Sequence, residues 1–124
     1  MIDSIGNSVA IRQLVEELIT DSMAQSRVIR QLDVEQFNEL AQRVGRAKSK
    51  ILAFGDPGRG ALLELMAHKH PGVRLNAATA VLLFDAKAAL PVLEALAQGD
   101  AVDEAGYAYL ALTMWREGDF PPKK

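Results

Sequence analysis

A Pro-Gly pair leading straight into an alanine-rich apolar segment is the feature that most restricts what this chain can fold into. It lies in the run His70-Pro71-Gly72-Val73-Arg74-Leu75-Asn76-Ala77-Ala78-Thr79-Ala80-Val81-Leu82-Leu83. The Pro-Gly pair reads as a turn that opens directly into a helix beginning Val73-Arg74. The residues after it are mostly good helix formers with small side chains. The resulting helix, over Val73–Phe84, is apolar almost all round and has to be covered on several sides. The rest of the chain must supply those covers.

Composition agrees with a helical answer. Apolar residues make up 49% of the 124 and charged residues 24%, an ordinary globular balance. With aromatics at only 6%, Ala and Leu carry the apolar half, which favours an all-α fold. The length fits a single domain, 1–124. Cysteine is absent, so disulfide and thiolate chemistry are excluded. His68 and His70 are the only imidazoles, too few for a structural zinc site. The expectation is therefore no metal and no cofactor. A net charge of −2 gives no global attraction to nucleic acid or to an anionic membrane. Met1-Ile2-Asp3-Ser4 carries an early acid and no basic segment, so no signal peptide is expected. No apolar stretch has a membrane-spanning length, and a cytoplasmic protein is the default.

Along the chain the periodicity predicts about six helices. The first starts near Asn7-Ser8, buries Leu14, Val15, Leu18, Ile19 and Ser22, and ends between Gln25 and Leu32. Asp33 reads as the N-cap of the second, whose stripe is Val34, Phe37, Leu40, Ala41, Val44, Ala47 and Ile51. Gly55-Asp56-Pro57-Gly58-Arg59-Gly60 reads as a loop, followed by a short helix from about Arg59 to His68. After the Val73–Phe84 helix, Asp85 caps a fifth helix that reaches Gln98 with Pro91 inside it. The last runs from roughly Asp103 to Glu117, before a loose tail from Phe120 to Lys124.

A shift of thirty residues sets Leu63, Glu64, Ala67 and Ala78 on Leu93, Glu94, Ala97 and Ala108. Helix, turn and helix lengths agree in the two units, as expected for helical hairpins that bury their apolar faces by stacking. These features resemble a small bacterial HEAT-like helical-repeat family of unknown function. The resemblance is carried by Leu62-Leu63-Glu64-Leu65, by Pro71-Gly72-Val73-Arg74 with the alanine-rich run behind it, by Ala89-Leu90-Pro91-Val92-Leu93 and by Trp115-Arg116-Glu117-Gly118. It implies an α–α superhelix and brings no catalytic residue with it. The expected layout is N-terminal helices over 1–54, two HEAT-like hairpins over 59–118 and a flexible tail over 119–124.

Motifs that could carry chemistry are sparse. Gly55, Gly58 and Gly60 lack the Gly-Lys-Ser/Thr run and the preceding strand of a phosphate loop. His68-Lys69-His70 has no third ligand and reads as a turn. Arg43, Arg46 and Lys50 share a helix face, with Arg27 and Arg30 as candidate neighbours; such a face could touch phosphate. Glu39, four residues before Arg43, is expected to pair with it. The acid pairs Glu16-Glu17 and Asp103-Glu104 are adjacent on helices and point apart, so neither forms an acid–base dyad. Arg74 is expected to reach an acid or carbonyls of a neighbouring hairpin, and Trp115 to close the terminal repeat. On a helical wheel the last helix leaves Tyr109, Thr113 and Arg116 outside its apolar arc. The thirty-residue shift puts Asn76 and Thr79 on the matching arc of the earlier helix. Those five residues are the candidate partner-binding set. The functional expectation is a non-catalytic protein-binding module, such as an adaptor or a toxin-neutralising partner. The alternative is nucleic-acid binding through the basic face of the second helix.

Overall fold

The computed structural model describes residues 3–120, with side chains from Asn7 onward, and contains six α-helices and no strand among them. They are α1 (Asp3–Gln31), α2 (Val34–Leu52), α3 (Asp56–Leu65), α4 (Pro71–Val81), α5 (Ala86–Ala97) and α6 (Val102–Arg116). The all-α expectation holds at this level.

Helix α1 begins at Asp3, earlier than the expected Asn7-Ser8, and stops where Leu32 turns left-handed at φ 59°. Asp33 then caps α2 by accepting the Gln36 N–H at 3.0 Å. Of the expected α2 stripe, Leu40, Val44, Ala47 and Ile51 are buried, whereas Val34 is exposed at the first turn, beyond the reach of the core.

The glycine-rich stretch is not a loop throughout. Helix α3 starts at Asp56 with Pro57 in its first turn, an arrangement both residues favour. Gly58 is then a contact residue, because a Cβ there would lie 1.8 Å from the Ile51 carbonyl oxygen. The α2 and α3 backbones meet at that point.

The turn between α3 and α4 is tied by its own side chains. His68 Nδ1 accepts the His70 N–H at 3.0 Å, and His70 Nδ1 accepts the Gly72 N–H at 3.0 Å, capping α4. Burial holds the His70 pKa below the usual imidazole value, with Glu104 pulling the other way. Arg74 donates to the carbonyls of His68 at 3.0 Å and Lys69 at 2.8 Å. It therefore braces its own hairpin turn, where a neighbouring hairpin was expected, because the two carbonyls lie just behind its first helical turn. Asp85 caps α5 as expected, accepting from the Ala88 N–H at 3.2 Å. The helix is continuous through Pro91.

Burial repeats between α3–α4 and α5–α6, but at thirty-one residues and not thirty. In that register Gly58, Leu62, Leu65, Val73, Ala77, Ala80 and Val81 fall on Ala89, Leu93, Leu96, Glu104, Ala108, Ala111 and Leu112, all buried. This register also carries four identities, Leu62 with Leu93, Leu65 with Leu96, Ala77 with Ala108 and Ala80 with Ala111, so it is burial that separates it from the thirty-residue shift. Glu104 is the exception in kind: a carboxylate at the position where the preceding hairpin buries Val73.

Helix α4 packs against each of the other five helices, and its Val73, Ala77, Ala78, Ala80 and Val81 are fully buried at the centre of one core. The expected flexible tail is corrected at its start, since Phe120 is half-buried and packs on that core. The tail beyond it lies outside the described residues.

Candidate ligand groove

Four helices, α1, α2, α4 and α6, surround a groove of about 590 Å³. That volume falls in the range of small-ligand sites. Its walls are mainly apolar, with Ile29, Ala41, Leu75, Leu83 and Phe120 among them. Phe37 of α2 and Tyr107 of α6 stack across the groove, ring centres 6.1 Å apart and planes inclined by 15°.

A row of polar groups follows α4 through this apolar setting. At its N-terminal end Glu104 is 4% exposed and accepts a hydrogen bond from Ser26 Oγ at 2.5 Å. Gly72 faces them; a Cβ there would sit 2.6 Å from Ser26 Oγ, so the close approach of α4 to α1 needs glycine. One turn on, Asn76 Nδ2 donates to Ser22 Oγ at 2.8 Å and to Gln25 Oε1 at 3.0 Å. A further turn along, Lys48 Nζ donates to Thr79 Oγ1 at 3.0 Å, while the Thr79 hydroxyl donates to the Asn76 carbonyl at 3.0 Å.

Two of these groups are charged and unmatched. Among the described residues, Lys48 has no carboxylate and Glu104 no cation at salt-bridge distance. Burial without a counter-charge lowers the Lys48 pKa from 10.5 to about 8. The groove therefore holds an ammonium near Thr79 and a carboxylate near Gly72, separated by seven residues of α4.

The expected partner-binding residues divide between two places. Asn76 and Thr79 lie in the groove. Tyr109 is 63% exposed and, with Thr113 and Arg116, occupies the side of α6 turned away from Glu104 and Tyr107. Arg116 approaches Glu94 of α5 at 4.0 Å, an exposed contact. The set does not form one surface. In the thirty-one-residue register Tyr109 and Thr113 correspond to Ala78 and Leu82, a face that on α4 is buried and on α6 is left open. Trp115, expected to close the terminal repeat, is 37% exposed beside that face.

The basic face is partly consumed. Arg43 bonds Asp21 of α1 through two contacts, Nη2–Oδ1 at 3.1 Å and Nε–Oδ2 at 3.2 Å, and not Glu39. Arg46, Lys50, Arg27 and Arg30 are exposed. The His68–His70 turn is fixed by the hydrogen bonds above, and no cluster of three or more metal-type ligands occurs among the described residues.

Lys48 and Glu104 were the residues that sequence reasoning missed. Lys48 continues the Phe37, Ala41, Val44 stripe at helical spacing, so a charge on the buried face was visible. Glu104 sits three and seven residues before Tyr107 and Ala111 in the same way, but its neighbour Asp103 suggested a solvated pair.

Five helices packed round α4, with a mainly apolar groove crossed by a polar row, define a small all-α domain. The chain belongs to the family described as a domain of unknown function (DUF2019), whose match covers residues 12–115. It is similar over 91% of its length to the crystal structure of the protein RPA1889 from Rhodopseudomonas palustris CGA009, covering 93% of that chain at 26% identity with a TM-score of 0.81. None of the curated proteins matches it. No helix among the described residues is long and apolar enough to cross a membrane.

Proposed function

We propose that this domain is a non-catalytic peptide-binding module, with the groove between α1, α2, α4 and α6 as its binding site. The observation that carries the reading is the pairing of an apolar trough with side-chain amides and hydroxyls along α4. Apolar walls accept side chains, and the Asn76, Gln25 and Thr79 row suits the alternating donors and acceptors of a peptide backbone. A catalytic reading has less support. Ser22 and Ser26 have no imidazole partner among their hydrogen bonds, and the Glu104 carboxylate is engaged by a hydroxyl.

The same reading treats α3–α4 and α5–α6 as HEAT-like stacked units, supported by the thirty-one-residue recurrence of buried positions. It treats the protein as an adaptor whose partner is another protein chain. Nucleic acid is disfavoured by the engagement of Arg43 with Asp21.

The test is affinity selection from a library of free synthetic random peptides on the protein, followed by rebinding to an Ala41→Trp variant whose new ring fills the trough. Enriched apolar sequences that bind the wild type and lose at least tenfold affinity for the folded variant support the reading. Absence of enrichment, or binding indifferent to Ala41→Trp, refutes it.

A further inference from the structure

Two unmatched charges of opposite sign in one apolar groove call for a ligand carrying the same two charges reversed. Lys48 Nζ is anchored on Thr79, and the Glu104 carboxylate is anchored on Ser26 opposite Gly72. Seven residues of helix separate those anchor points, a rise of about 10 Å. An extended chain of about three residues has the same span. The Asn76 amide, tied to Ser22 and Gln25, occupies the interval between the two charges.

We infer that the groove binds a short zwitterionic peptide, about three residues long and apolar in its side chains, with its α-carboxylate on Lys48 and its α-ammonium on Glu104. This rests on the peptide-binding reading of the groove and puts a free peptide in the place of a protein-chain partner. A fatty acid would satisfy Lys48 and leave Glu104 facing hydrocarbon. A phosphate monoester would bring two negative charges to a single ammonium, with a carboxylate in the same groove. A single amino acid has its charges far too close together to meet both anchors. A tripeptide with free ends meets both charges, and its central amides lie against Asn76.

The experiment uses trileucine, N-acetyl-trileucine and trileucine amide as probes, titrated to millimolar concentration and followed by NMR shifts of Gln25, Asn76 and Tyr107. Trileucine should saturate these shifts, and blocking either end should weaken binding at least tenfold. Lys48→Met should abolish the penalty for the amide while keeping that for acetylation; Glu104→Gln should do the reverse. Either pattern is read as a ratio on one variant, so a modest stability change does not obscure it. Equal binding of all three probes in the groove overturns recognition of the ends while leaving a peptide-binding module intact. A penalty for the amide alone overturns the free-peptide assignment in favour of a protein C-terminus. No shift at the groove residues with any probe overturns the inference outright, whatever the library selection shows.

Discussion

The two sides of α4 are built from different materials. Towards α5 and α6 it presents small apolar residues to a dry seam in which Ala77, Ala78, Ala80, Val81, Ala89, Leu93, Ala108 and Leu112 are almost or wholly inaccessible. Towards α1 and α2 it presents Gly72, Asn76 and Thr79, and every bond they make there is polar and crosses long stretches of sequence. The dry seam is close-packed and holds the hairpins together. The wet seam does not close and leaves the groove. Burial of apolar area stabilises whatever fits, whereas polar groups in a cleft have to be satisfied one by one. A chain that places both on one helix keeps its close-packed core and its open groove apart.

The largest test of that division lies in the dry seam. Leu93→Ala should cost about 3 kcal/mol or more, read by chemical denaturation, because Leu93 is fully buried and its neighbours are too small to collapse into the gap. A cost below about 1 kcal/mol would show that this seam is looser than its burial implies.

In the wet seam the sign should reverse. Lys48→Met removes a cation whose pKa is lowered to about 8 by burial and should raise stability at neutral pH by about 3 kcal/mol. The gain has a pH signature. Between about 8 and the ordinary value of 10.5, the unfolded wild-type chain holds a proton that the folded chain has released. Wild-type stability, measured relative to the variant, should therefore rise across that window, and the advantage of Lys48→Met should vanish by its upper end. A variant less stable than wild type at pH 7 would mean that the Thr79 hydrogen bond outweighs the desolvation.

Asp21→Asn probes the edge of the same seam. The Asp21 side chain is 6% exposed while its partner Arg43 is 58% exposed and can return to water, so the loss should be about 1–2 kcal/mol by thermal melting. The smallest effect belongs to the outer face of α6. Tyr109→Ala combined with Arg116→Ala should change stability by less than about 0.5 kcal/mol and leave trileucine binding unaltered, since neither residue lines the groove.

The dry seam was legible in the sequence and the wet one was not. Small residues at helical spacing announce a helix and its buried face, and Asp33 and Asp85 announce their helix starts through a local hydrogen bond. The Gly55–Gly60 stretch misled because Gly58 is required by a contact with Ile51, which no local rule contains. The groove depends on which turn of α4 meets which turn of α1. Ser22 and Ser26 look like ordinary helix residues until Asn76 and Glu104 arrive opposite them. Two of the five residues of the expected binding set, Asn76 and Thr79, do lie at the groove. The arc of Tyr109, Thr113 and Arg116 does not, because the true hairpin offset is one residue longer and rotates α6 by about a quarter turn.

Because α4 touches every other helix and stands near the middle of the chain, the order of events during folding is constrained as well. The α1–α2 pair and the α5–α6 pair are each joined by short turns and can form from local contacts at small entropic cost. Neither can bury its inner face until α4 arrives between them. Loss of α4 should therefore open both pairs together. Amide exchange should report it, with the α4 backbone opening only when the whole molecule unfolds.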